Sequence, residues 1–204
     1  MSNAAPAPSP QPSSPPPSPP PSVFYVNYFD QIQPPHVKAL MGLCTQIITQ
    51  KQPDVLYFLF SSPGGSVDAG ITFYNFLRSL PVEIVMHNTG SIDSVATIIF
   101  LAGERRYAAK HSSFLFHGIQ AQFQKDAVMQ PSSLREHLSR VEGDESKITG
   151  IVAERSDLTE GEMRELFRQG ESKDLAFAIE KKIIHEIRNP QIPKGAQIAS
   201  VNVN

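Results

Sequence analysis

Residues 55–66 read VLYFLFSSPGGS, and this stretch decides the fold. Six uninterrupted apolar or aromatic residues are typical of a strand that is covered on both faces of a parallel sheet. The Pro-Gly-Gly that follows ends the strand, and from Val67 to Leu77 apolar residues recur at helical spacing. A strand that passes through two glycines into a helix predicts a turn whose free backbone N–H groups can face a negative charge.

A second unit of the same kind follows along the chain. The apolar run 82–86 leads to Gly90, and Ser94 opens a short apolar helix. A serine at this position can present its hydroxyl beside backbone donors. A further strand, 113–117, ends in His117. Because the carboxyl ends of parallel strands meet at one edge of a sheet, we expect the glycines, Ser94 and His117 to lie close together.

The first half of the chain alternates strands and helices throughout. Residues 23–28 are rich in aromatic and β-branched side chains and predict a strand, after which Pro34-Pro35 opens a helix. This alternation predicts a mostly parallel sheet with helices outside it and right-handed crossovers.

The second half predicts mainly helices. A long helix ends near Arg155, a second begins at the capping box of Thr159, and a third is capped by Asp174 before a last strand at 183–187. The predicted fold class is therefore α/β, a layered parallel sheet with flanking helices and a helical arm in the second half.

Composition divides the chain into three segments. Residues 1–22 hold ten of the 18 prolines and have little to bury, so they predict a disordered Pro/Ser-rich tail. The folded domain is predicted over residues 23–189. The segment 190–204 shows no periodicity and is predicted to be an irregular C-terminal tail.

Several function classes are disfavoured by composition. A net charge of −2 implies no broad nucleic-acid surface. Cys44, the single cysteine, lies on an apolar helix face and cannot form an internal disulfide. The longest apolar run is too short to cross a membrane, and without a basic segment followed by an apolar stretch we expect no signal peptide. We therefore expect a cytoplasmic protein. The histidines lack metal-ligand spacing and there is no phosphate-binding glycine fingerprint, so we expect no metal or cofactor.

The candidate chemistry is acyl transfer by a serine. A serine hydroxyl needs a base, usually a histidine held by an acid, and two N–H groups that stabilise the oxyanion. The sequence offers Ser94, His117 and the amides of Gly65 and Val95. Each also has a structural interpretation: a helix cap, a packed histidine, or a plain turn. The residues taken singly leave this choice open.

A resemblance to a known family favours the catalytic interpretation. Residues 62–70, SPGGSVDAG, together with Tyr74, Gly90 to Ser94, and residues 113–117, resemble the Clp protease proteolytic subunit family over about residues 23–119. The resemblance implies a ClpP/crotonase-like fold and a serine peptidase. It implies that Ser94 attacks the peptide carbonyl, that His117 takes and returns the proton, and that the N–H groups of Gly65 and Val95 form the oxyanion hole.

The resemblance also implies partners. Members assemble into homo-oligomeric rings, take peptide or unfolded protein substrates, and receive them from an ATP-driven unfoldase. The sequence departs from the family pattern at two places here, of which the second bears on the ring and the unfoldase. Asp93 precedes Ser94 at a position where the family has a small residue. An acid at this position suits a helix start or influences His117. Residues 118–123 replace the family's glycine-rich strand.

The family's acid motif is not intact in this sequence. Counting back from Ile183-Ile184 favours Glu171 as the third catalytic residue, with Asp174 as the alternative acid. Either carboxylate also suits an ordinary role, exposed to solvent or capping a helix.

Two rival functions stay open. A crotonase-like acyl-CoA enzyme would use the same oxyanion hole to polarise a thioester and would need no nucleophilic serine. A catalytically silent family member would serve as an oligomer subunit or scaffold, for which the degraded acid motif is the best support.

Overall fold

The computed structural model describes residues 19–120 and 130–201. Within those ranges the chain forms eight strands and six helices. In order they are β1 (Val23–Phe29), α1 (Pro34–Lys51), β2 (Val55–Ser62), α2 (Val67–Ser79), β3 (Glu83–Asp93), α3 (Ala96–Phe100), β4 (Arg105–Ala108), β5 (Ser113–Leu115), α4 (Pro131–Arg155), α5 (Glu160–Gln169), β6 (Ser172–Lys173), α6 (Leu175–Glu180), β7 (Glu186–Ile187) and β8 (Gln197–Ser200).

One sheet organises these elements. Its strand order is β6-β5-β3-β2-β1-β8, and β4 pairs with the first half of β3 while β5 pairs with its second half. Strand β7 pairs with β4 on the side away from β3. Every pairing is parallel except that of β5 with β6, which is antiparallel. The predicted α/β class with a parallel-dominated sheet and flanking helices is confirmed.

Strand β2 lies at the centre of the sheet, as its apolar sequence predicts. Phe58 and Phe60 are fully buried in the main core, which includes Phe73 of α2 and Phe100 of α3. A smaller cluster on the opposite face of the sheet contains Val55, Val85 and Tyr107. Each Å² of apolar surface that is removed from water stabilises the folded state by about 25 cal/mol. These two buried layers are therefore the main stabilising feature of the domain.

Side chains fix the starts of several helices. The Ser66 hydroxyl accepts a hydrogen bond from the Ala69 amide at the start of α2. Thr159 and Glu162 form a reciprocal capping box at α5. Asp174 caps α6 by accepting from the Phe177 amide. Each such cap contributes about 1 kcal/mol.

The structure differs from the sequence prediction near the C-terminus. Residues 197–200, placed in the predicted irregular tail, form β8 and pair in parallel with β1. The predicted strand at 183–187 is reduced to the two residues of β7. Residues 1–18 of the predicted tail lie outside the described residues, and so do 121–129. None of the helices in the described ranges combines the length and the apolar character that a membrane span requires.

Candidate active site

The Gly64-Gly65 turn requires glycine because two other backbone segments approach it closely. Both residues have a positive φ, 87° and 149°. A Cβ atom on Gly64 would lie 2.8 Å from Cβ of Ser94, and one on Gly65 would overlap the Ile32 carbonyl. Hydrogen bonds from Ile32 N to Gly64 O and from Ser66 N to Ile32 O, at 2.8 and 2.7 Å, flank Gly65. Its own N–H has no hydrogen-bond partner among the described residues.

Ser94 occupies a strained turn between β3 and α3. Its φ is 56°, in the left-handed region that non-glycine residues rarely adopt. Such a conformation costs about 1–3 kcal/mol and is often found at functional sites. The Ser94 amide donates to the Leu115 carbonyl at 2.8 Å, which holds the turn against β5. A strained strand-to-helix turn of this kind presents a serine hydroxyl to solvent.

Val95 supplies the second free amide. Its side chain is buried, and Thr97 donates back to the Ser94 carbonyl at 3.0 Å, which closes the first turn of α3. Within the part of the chain that is described, the N–H of Val95 has no hydrogen-bond partner. It therefore resembles the amide of Gly65 in being available to an incoming oxygen atom.

His117 follows β5, and one of its ring nitrogens has a defined hydrogen-bond partner. Its Nδ1 lies 2.8 Å from the Gly118 carbonyl oxygen, which can only accept a hydrogen bond. In the neutral form of the ring the proton therefore resides on Nδ1, and Nε2 carries the lone pair. This is the tautomer that can accept a proton from a serine hydroxyl.

The structure brings four of the predicted site residues to one cavity of about 240 Å³. Gly65, Ser94, Val95 and His117 all line it. The rest of its wall is mostly apolar and comes from the helices and from the strand ends: Pro63, Val67, Thr97, Phe116, Ile119, Gln120, Ile148 and Phe167. A nucleophile, a base and two free amides thus share one recess with several apolar side chains.

The structure does not bring either predicted acid to the imidazole. Glu171 is exposed and lies 3.4 Å from the ammonium group of Lys173, and Asp174 caps α6. Strand register gives the reason: Ser172 lies beside Leu115, and alternate residues share a face of the sheet. Continuing that pairing turns Glu171 to the face opposite that of His117.

Asp93 lies next to Ser94 and is half-buried. Burial raises the pKa of its carboxyl group, while a hydrogen bond from the Ser91 hydroxyl at 3.3 Å and attraction to His117 act in the opposite direction. In the register of β3 with β5, Asp93 lies beside Leu115. The acid before the nucleophile is therefore electrostatically coupled to the base.

Sequence reasoning missed a further contact next to His117. The Glu145 carboxylate accepts a hydrogen bond from the Ile119 amide at 3.4 Å, and the Gly118 amide donates to the Phe167 carbonyl at 3.2 Å. Glu145 is one of many acids along α4, so no sequence signal separates it from a solvated helix face. Among the described residues there is no cluster of three His, Cys, Asp or Glu side chains that could hold a metal ion.

Comparisons with known proteins bear on the family and the fold of the chain. A family model described as Clp protease matches residues 29–188. The ATP-dependent Clp protease proteolytic subunit of Chlorella vulgaris is 32% identical over 80 residues, 38% of this chain and 40% of that relative's length. Subunit 2 of the same protease from Pseudomonas aeruginosa is 30% identical over 73 residues, 35% of this chain and 36% of that relative. In these two alignments the chain spans about two fifths of each relative's length.

Two longer alignments cover most of the chain. Proteolytic subunit 2 from Chlamydia trachomatis serovar D is 24% identical over 163 residues, 76% of this chain and 77% of the relative. A solved ClpP1 mutant from Listeria monocytogenes has a TM-score of 0.69 at 15% identity and covers 82% of this chain and 92% of that one. At such identity, structural likeness shows the fold and leaves the chemistry to the site itself.

Proposed function

Because the chain belongs to the Clp protease family, we propose that it is a serine-type endopeptidase with Ser94 as nucleophile and His117 as general base. One observation carries the proposal. The cavity that Ser94 and His117 line is also lined by Gly65 and Val95, whose N–H groups have no partner among the described residues. Free donors beside a nucleophile and a base are what acyl transfer requires.

The reaction follows from this arrangement. Nε2 of His117 takes the hydroxyl proton of Ser94 as Oγ attacks the peptide carbonyl carbon. The oxyanion of the tetrahedral intermediate accepts hydrogen bonds from the amides of Gly65 and Val95. When the C–N bond breaks, the imidazolium returns the proton to the leaving amine, and water then hydrolyses the acyl-enzyme by the same steps. Losing one oxyanion donor costs about 2.7–4 kcal/mol of barrier.

Substrate and assembly are part of the same proposal. The apolar wall formed by Val67, Ile148 and Phe167 suits a peptide or an unfolded segment that offers an apolar side chain. Relatives are named proteolytic subunits of ATP-dependent proteases. We therefore propose a homo-oligomeric ring subunit, located in the cytoplasm, that is served by an ATP-driven unfoldase and binds no nucleic acid.

A second candidate is supported by one specific observation. Nδ1 of His117 contacts the Gly118 carbonyl rather than a carboxylate, and Glu171 instead lies beside Lys173. A catalytically silent subunit that serves as a scaffold would tolerate this loss. The two candidates are distinguished by whether the purified protein hydrolyses peptides.

Peptide hydrolysis tests the proposed function. Purified protein is incubated with a short blocked peptide that carries a fluorogenic amide after an apolar residue. Hydrolysis is expected, and Ser94→Ala is expected to abolish it. Ser132→Ala, which removes the hydroxyl of an exposed serine in the first turn of α4, is the control and is expected to retain most of the activity. Hydrolysis that survives in Ser94→Ala would contradict the proposed role of this residue.

A further inference from the structure

We propose that Glu145 is a positioning residue for His117 and acts through the peptide group that joins Gly118 to Ile119. The inference deepens the proposed function and rests on it. The carbonyl of that peptide group accepts the Nδ1 proton of His117 at 2.8 Å. Its N–H, from Ile119, donates to the Glu145 carboxylate at 3.4 Å. A carboxylate thus reaches the imidazole across one intervening peptide group.

The physical effect is polarisation of that peptide group. A carboxylate that accepts from the N–H draws the amide dipole toward itself and makes the carbonyl oxygen at the other end a stronger acceptor. A stronger acceptor on Nδ1 holds the ring in the tautomer that leaves Nε2 free for Ser94. It also stabilises the imidazolium that forms when the serine loses its proton.

The surroundings of Glu145 leave its charge available for this role. Within the described ranges its carboxylate has no ion-pair partner, whereas Asp144, the preceding residue, pairs with Lys147 at 2.8 Å. Glu145 is half-buried on α4. A half-buried carboxylate is screened less than a fully exposed one, so its influence on a nearby dipole is larger.

The peptide segment itself is fixed in place. The Gly118 amide donates to the Phe167 carbonyl of α5 at 3.2 Å, so both sides of this short segment are anchored to helices. A Cβ atom on Gly118 would lie 3.5 Å from Oε1 of Glu145, which shows how closely the carboxylate approaches the backbone here. His117 and Ile119, on either side of Gly118, line the cavity, so the relay lies next to its wall.

Labelling by a fluorophosphonate probe, which reacts with an activated serine, measures the effect on His117. Glu145→Gln retains an oxygen acceptor for Ile119 but loses the charge, and Glu145→Ala loses both. We expect the second-order labelling rate to fall about tenfold in Glu145→Ala, a typical effect for groups that orient a functional ligand, and less in Glu145→Gln. The control is Glu142→Gln, an exposed acid on the same helix, which is expected to label at the unaltered rate.

A second readout reports the tautomer directly and does not depend on activity. In ¹⁵N NMR of the full chain near neutral pH, we expect His117 to show an Nδ1–H signal, identified by its absence in His117→Gln. Glu145→Ala is expected to shift this ring toward a mixture of tautomers, while Glu142→Gln leaves it unchanged. Glu145→Gln, which keeps the hydrogen bond, provides the comparison if the alanine variant unfolds.

The outcomes separate the relay from the proposed function. If Glu145→Ala and Glu145→Gln label at the rate of the unaltered protein and keep its tautomer, the relay is overturned and the peptidase assignment stands. If the unaltered protein is not labelled at Ser94, the peptidase assignment fails. The NMR measurement then still decides whether Glu145 holds the ring, since an unchanged tautomer in both variants overturns the relay.

Discussion

Gly170 lies opposite His117, just beyond the two residue pairs that join β5 to β6. A Cβ atom added to Gly170 would be 4.0 Å from Cβ of the histidine, an ordinary contact distance. The residue is the C-cap of α5, with φ 59° and ψ 34°. The position that faces the base, just before β6, therefore carries no side chain, and the two acids that follow it in sequence, Glu171 and Asp174, contact other groups.

We predict that Gly170→Asp accelerates fluorophosphonate labelling of Ser94, because it places a carboxylate beside the imidazole of His117. The left-handed φ costs a non-glycine residue about 1–2 kcal/mol, and Asp tolerates it better than most. Gly170→Asn has the same shape without the charge and is the control. Equal rates in the two variants would contradict the idea that a carboxylate at this position assists the base.

Gly64 is predicted to be needed for the geometry of Ser94. A Cβ atom there would lie 2.7 Å from the Asp93 carbonyl and 2.8 Å from Cβ of Ser94, at a φ of 87°. Gly64→Ala is therefore expected to lower the free energy of unfolding by about 2 kcal/mol or more and to slow labelling of Ser94. Gly143→Ala, within α4 and with open space around it, is expected to stabilise by up to about 1 kcal/mol. Urea unfolding of both variants gives the comparison, and equal effects would contradict the prediction.

The sheet and the gathering of Ser94, His117, Gly65 and Val95 could be anticipated from the sequence for one physical reason. Strands that are apolar throughout have to lie inside a parallel sheet, and the carboxyl ends of such strands share an edge. That rule fixes which turns meet without any knowledge of side-chain contacts. The catalytic roles of these residues stay predictions.

The third catalytic residue could not be located in this way. A shift of one residue in register moves a side chain to the other face, and the register of β6 depends on only two paired residues. Counting along the sequence therefore cannot decide whether residue 170 or residue 171 faces His117. Strand β8 escaped prediction for a related reason: Ile198 is half-exposed, and an edge strand without clear alternation resembles a loop.

Arg106 is predicted to be essential for stability. Its guanidinium is buried and donates to four backbone carbonyls at 2.8–2.9 Å, two of them at Lys182 and Ile183. Burial is the main reason that its pKa is lowered to about 10. Arg106→Lys cannot reproduce this planar set of donors and should cost about 3 kcal/mol or more. Thermal unfolding measures the loss.

Arg105 offers the matched control for this measurement. Its guanidinium is partly exposed and pairs with Glu83. A surface ion pair contributes about 0.2–1 kcal/mol. Arg105→Lys is therefore expected to change the free energy of unfolding by less than about 1 kcal/mol. A similar loss in Arg105→Lys and Arg106→Lys would contradict the importance of the four carbonyl contacts.

His87 is predicted to make folding stability depend on pH. It is fully buried, with Tyr57 Oη at 2.7 Å from Nδ1 and the Arg188 carbonyl at 2.8 Å from Nε2. Burial is the main cause of its lowered pKa. The charge of Arg188 also lowers it, whereas the Arg188 carbonyl and Glu186 act in the opposite direction. Because the unfolded chain binds a proton at this histidine near pH 6.5 and the folded chain only at lower pH, stability falls as pH decreases below about 7.

His87→Gln should reduce this dependence. The measurement is the free energy of unfolding in urea at about pH 7 and about pH 5, on either side of the titration of an unfolded histidine. His111→Gln removes an exposed histidine and is expected to leave the pH dependence as it is. A dependence that is unchanged in His87→Gln would contradict the role of this buried ring.

The central claim is that Ser94 is an activated nucleophile served by His117. Its most direct test is mass-spectrometric mapping of the fluorophosphonate adduct on the intact chain. We predict a single adduct on Ser94, its loss in Ser94→Ala, and a rate at least about a hundredfold lower in His117→Ala, as for other groups that transfer protons. An unlabelled Ser94, or labelling of His117→Ala at the rate of the unaltered protein, would contradict the claim.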